Sequence, residues 1–454
     1  MKNQIYFLAL AAVLGAMGCK KSSTENPPVA STNVDVRGSI TTNTTWTADK
    51  TYRIRGYVYV DGNATLTIQP GTKIVSNKDS AGVLIIYKGS KINAAGTAAA
   101  PIVFTSNETE KKPGDFGGLV IVGKATGNGN HAILEGGVDA THTAFGGTDD
   151  TDNSGVLQYV RIEYGGKAVN PGDEVNGLSM YTVGSATTVD HIQVLRGLDD
   201  AYEFFGGAFN AKYLIAYNNA DDDFDFDDGY HGKIQFAVSI KDPAFTDNKG
   251  TSGDISNNFE IDNTTDANGY LRTPYTNPVM SNFTAVGPNN ATGTSTDFGY
   301  GMRFRRGSKV ILANSIVMGG QKAGLVIDND PTATSYIAGE AGFRTSLLQA
   351  FANTYKTDKL TNVTFLAATL QGLAEGRDGS KSYTLATDIG LTDPFNNAAP
   401  NLLPKTGSPA ITTTAAFATG SPLADAFFTK VTYLGAIDPA GTDWSKASWT
   451  VYNR

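Results

Sequence analysis

Two acidic segments, residues 197–207 and 219–229, hold the side chains best suited to chemistry in this chain. They repeat one pattern, because a shift of 22 positions places Glu203 of the first segment on Asp225 of the second. Equivalent carboxylates in stacked repeats repel one another unless a cation neutralises them, and Ca²⁺ prefers such oxygen ligands. We therefore expect the two segments to hold a structural calcium ion. Its candidate ligands are Asp199, Asp200, Glu203, Asp221, Asp222, Asp223, Asp225 and Asp227.

The same segments allow a second interpretation, in which the loops point into water and the carboxylates only keep the chain soluble. Aromatic residues beside the acids add a further function. Tyr202 and Tyr230 are candidates for a surface platform that stacks on a sugar. The aligned Phe204 and Phe226 are better explained as rings that stack inside the molecule between successive repeats. The two tyrosines are therefore the predicted ligand-binding residues.

An enzyme is the alternative to a binding protein. Paired carboxylates can supply the acid and the base or nucleophile of glycoside hydrolysis. Asp199-Asp200 and the run at 229–233 are faintly similar to polygalacturonase-type elements, although Tyr230 interrupts the histidine motif. A calcium-dependent polysaccharide lyase would instead need a basic residue near the acids. The basic residues closest in sequence are Arg196, Lys212 and Lys233.

The histidines do not form a recognisable metal site, because no two have the close spacing of a His-x-x-x-His pair. No Gly-x-Ser-x-Gly nucleophile motif and no phosphate-binding Gly-x-x-x-x-Gly-Lys-Ser/Thr loop occurs either. We therefore expect surface or structural roles for the histidines and predict no catalytic residue. The four histidines are His131, His142, His191 and His231.

The composition excludes some classes of partner. The chain has 454 residues, 51 of them glycine, and only 18% are charged, which is typical of a β-rich, turn-dense protein outside the cytoplasm. Its net charge is −8 and its isoelectric point is about 5.1. Without an overall or local basic surface, we expect neither nucleic acid nor anionic lipid headgroups as partners.

The strand-like runs before the acidic segments follow the same repeat. Ile192, Leu214 and Phe236 occupy equivalent places at steps of 22 residues. A fixed step in the low twenties, carried by short alternating strands and Gly/Asn/Asp turns, is typical of a β-solenoid. Short strands alone would also fit a sandwich or barrel, but the constant step favours the solenoid. We predict an all-β chain with a right-handed parallel β-helix over residues 49–335.

Two segments interrupt the repeat. Val160 and Ile192 are 32 residues apart, ten more than one step, and the excess predicts an inserted loop at 167–174. The polar stretch 241–268 predicts a longer excursion, which includes 259–263. Insertions in a solenoid form loops on one side, where binding surfaces are often built.

The chain beyond the predicted β-helix, residues 336–454, is expected to form a helical and irregular cap. Apolar residues in 338–357 follow helical spacing and predict one amphipathic helix that packs on the flank or covers the open end of the solenoid. The apolar residues of this helix are Phe343, Leu347, Leu348, Phe351 and Tyr355.

The start of the chain predicts export and lipid attachment. Residues 1–18 combine a short basic start, an apolar core and a small-residue site that ends before Cys19, the only cysteine. The pattern resembles a bacterial lipobox, which implies cleavage after Gly18 and lipid on Cys19. Residues 19–48 are mostly polar and predict a flexible tether. No later apolar run is long enough to suggest a spanning helix.

Several segments together resemble a group of parallel β-helix lipoproteins of Bacteroidetes. The segments are LTIQPGTKI at 66–74, DFGGLVIVGKA at 115–125, GVLQYVRIEYGG at 155–166 and GLDD at 197–200, with TYLGA at 432–436, Trp444 and Trp449 near the end. The resemblance implies a pectate-lyase-like β-helix on the outer membrane, and it carries no settled activity.

The sequence thus predicts a β-helix anchored to the outer membrane through Cys19. We expect a non-catalytic accessory protein that binds a glycan or a partner in surface transport, with calcium in its acidic loops. Polysaccharide lyase or glycoside hydrolase activity is the alternative. The sequence leaves both the periplasmic and the cell-surface side of that membrane open.

Overall fold

The computed structural model describes Met1 and residues 32–170, 173–246, 255–265, 267–411, 417–418 and 420–452. The predicted lipidation site Cys19, the rest of the signal segment and the first part of the predicted tether lie outside the described residues.

Strands dominate this part of the chain. The first ten are β1 Thr32–Ile40, β2 Thr44–Trp46, β3 Lys50–Val60, β4 Thr65–Ile68, β5 Lys73–Ser76, β6 Val83–Ile86, β7 Lys91–Ala95, β8 Ile102–Ser106, β9 Gly118–Val122 and β10 Gly155–Glu163. The next ten are β11 Lys167–Asn170, β12 Asp173–Val175, β13 Leu178–Val183, β14 Thr188–Leu195, β15 Tyr202–Gly207, β16 Asn210–Tyr217, β17 Phe224–Asp227, β18 Lys233–Ile240, β19 Phe259–Ile261 and β20 Val279–Val286. The last ten are β21 Tyr300–Phe304, β22 Ile311–Ala313, β23 Ile316–Gly320, β24 Ala323–Asp328, β25 Gly342–Arg344, β26 Leu347–Ala350, β27 Tyr355–Asp358, β28 Lys381–Tyr383, β29 Leu391–Asp393 and β30 Asn401–Pro404.

Helices are short. The two α-helices are α1 Asp330–Ala338 and α2 Ala367–Gly372, and a π-helical turn, Leu373–Arg377, continues α2. Single 3-10 turns lie at Ala267–Gly269, Ala386–Ile389, Pro422–Ala424 and Trp444–Lys446. No helix in the described ranges is long and apolar enough to cross a membrane.

Twenty-six of the described strands pair in parallel and wind into a right-handed β-helix with three faces. Face 1 contains the second halves of β1 and β3, then β6, β9, β13, β15, β17, β19, β21, β24 and β27. Face 2 contains β2, β4, β7, the first halves of β10, β14, β16, β18 and β20, then β22 and β25. Face 3 contains the first halves of β1 and β3, then β5, β8, the second halves of the same five long strands, β23, β26 and β28. The predicted fold class is confirmed.

The predicted register holds for most of the repeat. Val160 pairs with Ile192 and Ile192 pairs with Leu214, as the sequence steps predict. Leu214, however, pairs with Ala237 and not with Phe236, so the predicted equivalence is wrong by one residue at this coil. Phe236 instead occupies the corner between faces 2 and 3.

The five long strands turn this corner without ending, because one residue in each adopts a left-handed conformation. The residues are Tyr159, His191, Tyr213, Phe236 and Asn282, with φ between 49° and 63°. A left-handed residue re-aims the chain within a strand and turns its own side chain away from the core. The side chains at this corner therefore stack outside the β-helix, and three of the first four are half-buried.

The β-helix extends beyond the predicted bounds at both ends. The predicted tether is wrong from residue 32 onward, because β1 and β2 form the first coil, and Val34, Val36 and Ile40 pack against the core. At the other end, parallel pairing continues past 335 to β28. The polar composition of 32–44 was misleading because the first coil is covered on one side only.

The predicted helix at 338–357 is wrong. This segment contains β25, β26 and β27, which are rungs of the three faces, and only the end of α1 overlaps it. Two short strands joined by a turn also repeat apolar residues every four or so positions, which imitates helical spacing. The open end is covered further along the chain, where Leu370 of α2 and Ala374 of the π-helical turn join the main core.

The predicted insertions have different outcomes. The described residues of the predicted insertion at 167–174 belong to the antiparallel hairpin β11–β12, which stands outside the parallel ladder. The predicted excursion 241–268 is wrong at 259–261, because β19 is a rung of face 1 between β17 and β21.

The chain after β28 covers face 3 on the outside. A second apolar cluster joins outward residues of that face, including Tyr217 and Ile240, to Leu391, Leu434 and Trp449. We call residues 433–452 the C-terminal belt. The belt therefore lies along the side of the β-helix and does not close its end.

Candidate functional site

The outer surface of face 1 carries a column of carboxylates. Register places Glu203 of β15 beside Asp225 of β17, and Asp225 beside Glu260 of β19. Parallel neighbours in a sheet are about 4.8 Å apart, so three acids follow one another along the axis. Arg303 of β21 is the next residue of the column. We call Glu203, Asp225 and Glu260 the acid column.

A second row of polar residues runs along the corner before face 1. Asp200 accepts a hydrogen bond at Oδ1 from the backbone nitrogen of Asp222, at 2.8 Å. Asp222 in turn accepts from the backbone nitrogen of Asn257, whose amide nitrogen reaches Glu260 at 3.2 Å. These carboxylates bind the next coil through its backbone, which fixes their position but neutralises no charge.

The two rows together form groups whose oxygens could hold a cation. Within each group, one atom from each of three residues lies within 4.8 Å of the others. The three groups of face 1 are Asp199 with Asp200 and Asp221, Asp200 with Glu203 and Asp225, and Asp222 with Asp225 and Glu260. Because Asp200 and Asp225 each belong to two groups, the cluster is continuous.

Asp225 lies at the centre of this cluster, and one of its carboxylate oxygens has no hydrogen-bond donor in the described chain. Its Oδ1 is covered from solvent and accepts no hydrogen bond from any part of the chain that the structure describes. Burial, followed by the charge of Asp222, raises the pKa of Asp225 well above its usual range. Burial also raises the pKa of Asp200 and Glu203, with Asp221 and Glu135 as the leading charged neighbours. Within the described part of the chain, burial and neighbouring carboxylates therefore outweigh the charge of Arg305 at Asp225.

Arginines neutralise the C-terminal end of the cluster. Arg303 contacts Glu260 at 3.3 Å and Asp328 at 2.9 Å. Arg305 forms ion pairs with Glu260 and Asp262, and Arg306 contacts Asp262 at 2.6 Å. Burial raises the pKa of Asp262 to about 7 against the effect of these arginines. The acids beyond Asp225 are therefore compensated by the chain itself.

A histidine closes the site on the side of the long segment 123–154. His131 Nδ1 lies 3.0 Å from Asp228 and 3.9 Å from Asp227, and these three residues form a fourth group able to hold a metal ion. Burial alone would lower the pKa of His131, but its hydrogen bond with Asp228 and the charge of Asp227 raise it to about 9. The histidine spacing does not predict this group, because the contact joins residues almost a hundred positions apart.

The same long segment covers the N-terminal part of face 1. Leu134, Val138 and Phe145 pack against outward aromatic rings of that face, among them Tyr181 and Phe205. On the other side, Asn176 beyond the β11–β12 hairpin donates a hydrogen bond to Glu203. The acid column thus lies between covering loops on two sides.

Three predicted site residues belong elsewhere. Asp223 is fully buried and forms an ion pair with Lys241 at 3.2 Å, so it is not part of the open cluster. Tyr202 and Tyr230 are each 0% exposed and cannot stack on a ligand at the surface. Tyr202 stacks on Phe224 at 5.1 Å and Tyr230 on Phe226 at 5.5 Å, so both tyrosines belong to the core.

The cluster gains three residues that the sequence interpretation missed. Glu260 was overlooked because 259–261 was placed in a loop, although its Phe-Glu-Ile order matches the Phe-Asp-Phe order of 224–226. Asp228 follows the predicted Asp227 directly. No local pattern points to His131, since its segment departs from the repeat.

Comparison with known proteins agrees with this architecture. The family model described as "Pectate-lyase like beta helix domain" matches residues 38–386, more than half of the chain. No curated protein and no solved structure matches. The matched range begins within β1 and ends just after β28, which are the first and last strands of the parallel ladder.

Proposed function

Because this chain belongs to the family of pectate-lyase-like β-helix domains, we propose that it is a non-catalytic accessory protein on that scaffold. It holds structural calcium on face 1 and binds a glycan or a partner protein in surface transport. The observation that supports this proposal is the buried Oδ1 of Asp225, which lies between Glu203 and Glu260 in the column and accepts no hydrogen bond from the described chain.

Calcium suits the cluster better than the other common cations do. The available ligands are carboxylate oxygens from five or more side chains, and Ca²⁺ takes six to eight oxygens with flexible geometry. Mg²⁺ demands a near-ideal octahedron and retains water, while Zn²⁺ favours nitrogen and sulfur. Asp200, Glu203 and Asp225 would bind the ion, which would remove the repulsion among them.

The place of the protein in the cell follows from the start of the sequence. We propose cleavage after Gly18, lipid on Cys19 and attachment to the outer membrane, as in the Bacteroidetes lipoproteins that the chain resembles. Metabolic labelling with a fatty acid tests the attachment. Label in the wild-type chain and its absence in Cys19→Ser would support the proposal, and label in both would contradict it.

Thermal unfolding of the full chain with Ca²⁺ and with a chelator tests the cation site. Binding to the folded state alone raises stability, by about 2.7 kcal/mol at a concentration one hundred times Kd. We expect Ca²⁺ to raise Tm in the wild type and in Asp79→Asn, which removes an exposed carboxylate far from the cluster in sequence. Asp225→Asn should lose most of that increase.

The outcomes separate clearly. An equal increase in Asp225→Asn would place the ion elsewhere, and no increase in the wild type would leave the cluster without a cation. Mg²⁺ in place of Ca²⁺ should give a smaller increase at the same concentration.

The enzyme alternative has one observation in its favour. Asp200, Glu203 and Asp225 combine raised pKa values with close approach, which is the arrangement that a general acid needs. Incubation with pectic and neutral polysaccharides distinguishes the two functions. New reducing ends or unsaturated products that disappear in Asp225→Asn would establish an enzyme and contradict the accessory role.

A further inference from the structure

We propose that a second site, a cleft between the C-terminal belt and the corner of faces 2 and 3, binds a neutral saccharide. The cleft has a volume of about 320 Å³, which is at the small end of the range for ligand sites. Its principal lining residues are His191, Tyr213, Phe236, Tyr433, Asp438 and Trp444. This inference deepens the proposed glycan binding and rests on it, but it concerns a different surface from the acid column.

One wall of the cleft is a ladder of aromatic rings. Tyr159, His191 and Tyr213 stack at 4.4 Å and 4.3 Å between ring centroids, and Phe236 continues the ladder at 5.2 Å. Each ring comes from the left-handed corner residue of successive coils. Because the faces of the inner rings cover one another, the ladder presents ring edges and polar tips to the cleft.

Aromatic residues are unusual at this corner because it requires a left-handed backbone conformation. A left-handed conformation costs a residue with a side chain about 1 kcal/mol or more, least for asparagine. The next two coils do use asparagine, Asn282 and Asn314, and both are buried with hydrogen bonds to their neighbours. His191, Tyr213 and Phe236 line the cleft. Asn282 instead donates hydrogen bonds to the carbonyl oxygens of Tyr433 and Gly435 in the belt. Three of the four ladder rings thus border the space that a ligand could occupy.

The belt supplies the opposite wall and holds it in place. The indole nitrogen of Trp444 donates a hydrogen bond to the carbonyl oxygen of Ala436 at 2.9 Å. The same ring meets Tyr213 edge to face at 5.1 Å, and Trp449 meets His191 in the same way at 5.5 Å. These contacts fix the position of both walls before a ligand binds, so little conformational entropy is lost on binding.

The polar groups of the cleft match a polyhydroxylated ligand. The hydroxyl groups of Tyr213, Tyr433 and Thr442 form no hydrogen bond to any residue that the structure describes. Asp438 binds its own turn through Oδ1, at 2.8 Å from the nitrogen of Ala440, and Oδ2 accepts no bond from the described chain. Sugar hydroxyl groups can donate to this carboxylate and bind the three hydroxyls, while sugar C–H groups pack against Trp444.

Charge excludes an acidic sugar. No lysine or arginine is among the lining residues of the described chain, and the one formal charge is the carboxylate of Asp438. Lys212 lies near the ladder, but its ammonium group donates to Thr429 at 2.9 Å and lies over the ring of Phe427. A uronate would meet the carboxylate of Asp438, while Lys212 and His191 already have hydrogen-bond partners in Thr429 and Asp190.

An organic cation fits less well than a neutral sugar. Recognition of a quaternary ammonium needs several ring faces around one point. Here the faces of the inner ladder rings are covered by their neighbours, and Tyr213 and Trp444 contact each other directly, which leaves no gap between them. Hydrogen bonding to the ring tips is therefore the better supported mode.

Fluorescence titration of the full chain tests the site, because Trp444 lines the cleft. The probes are maltohexaose, cellohexaose, xylohexaose and mannohexaose as neutral saccharides, with hexagalacturonate and choline as comparisons. We expect at least one neutral probe to bind about tenfold more tightly than either comparison.

Two substitutions that preserve the walls identify the cleft. Tyr213→Phe keeps the stacked ring, and Asp438→Asn keeps an oxygen for the turn. Each should weaken binding of that probe about tenfold. Tyr275→Phe removes a hydroxyl that bonds no described residue and lies outside the cleft, so it should leave affinity unchanged.

The proposal is overturned if no neutral probe binds, if hexagalacturonate or choline binds more tightly, or if Tyr213→Phe and Asp438→Asn bind like the wild type. Asp225→Asn distinguishes the two sites. It should retain saccharide affinity while losing the effect of Ca²⁺ on Tm, so the cleft and the cation site can fail independently.

Discussion

The two sides of β15 and β17 differ in whether their side chains attract or repel one another. On the inner side, Tyr202 and Phe224 are 0% exposed and stack at 5.1 Å with an angle of 4° between their planes. On the outer side, the next residues along the same strands are Glu203 and Asp225, which bring like charges together. One register produces both arrangements, because neighbouring residues of a strand point to opposite sides.

The comparison shows which side determines the geometry. Stacked rings gain free energy at the spacing that the coils impose, whereas carboxylates at that spacing repel one another. The core therefore holds the acids in an arrangement that they would not adopt alone. The two sides can be tested separately, and loss of a stacked ring on the inner side should have the largest effect on stability.

Replacement of Phe224 by alanine tests the inner side. The ring contacts Tyr202, Phe259 and Phe283 and has no exposed surface, so its loss should lower the free energy of unfolding by about 4 kcal/mol. Denaturant unfolding with chelator present measures the change. A loss below about 1 kcal/mol would mean that the stacked rings do not hold the coils.

Lys241→Met separates a compensated acid from the open cluster. Asp223 belongs to the same acidic segment as Asp225, but it is buried against the ammonium group of Lys241. Removal of one partner from a buried pair should cost about 3 kcal/mol in denaturant unfolding. Asp223→Leu in the same chain should restore part of that loss. A stable Lys241→Met variant would show that Asp223 needs no partner and would weaken its contrast with Asp225.

The pH dependence of stability tests the outer side. Burial raises the pKa of Asp200, Glu203, Asp225 and Asp227. A carboxyl whose pKa is higher in the folded chain stabilises that chain most at low pH, and this contribution is lost as pH rises through the folded value. Without Ca²⁺, stability should therefore fall as pH rises above about 4, the ordinary value for a carboxyl group. Melting curves at increasing pH should show a smaller fall in Asp225→Asn. An equal fall in the wild type and in Asp225→Asn would show that Asp225 does not cause the loss of stability.

Tyr202→Phe should have the smallest effect. The hydroxyl group donates a hydrogen bond within the core to the carbonyl oxygens of Ile192 and Ile215, both at 2.9 Å. Its loss should cost about 1 kcal/mol in denaturant unfolding and leave saccharide affinity unchanged. A loss of affinity would return Tyr202 to the role of a ligand-binding residue.

The fold could be predicted because its signal is repeated. The 22-residue step aligned Glu203 with Asp225 and Phe204 with Phe226, and both pairs are neighbours in the structure. An irregular segment precedes β19, so the 22-residue spacing does not predict this strand. The prediction of a helix at 338–357 is wrong for a different reason. Short strands joined by tight turns can place apolar residues at the same spacing as a helix does.

The candidate site could be predicted only where it follows the repeat. Seven of the eight proposed ligands lie in groups able to hold a cation, and Asp223 is the exception. The direction of a turn decides whether a carboxylate in it lies beside other carboxylates or beside a lysine, and the sequence spacing does not show that direction. The same limit explains the wrong prediction for Tyr202. Alternation along a strand shows that adjacent side chains point to opposite sides, but not which of them points into the core. His131 and the aromatic cleft depend on segments brought together only by the complete fold.

The first coil has a mechanical consequence. β1 hydrogen-bonds to β3 on one side only, and most of its residues are exposed, whereas α2 and the π-helical turn cover the far end. Backbone amides of β1 should therefore exchange with solvent faster than those of β26. If the chain is held at Cys19, a pull on the body first reaches this strand and peels it from β3 one bond at a time. The coil nearest the attachment would then unfold first under force, while the cation site and the cleft stay folded.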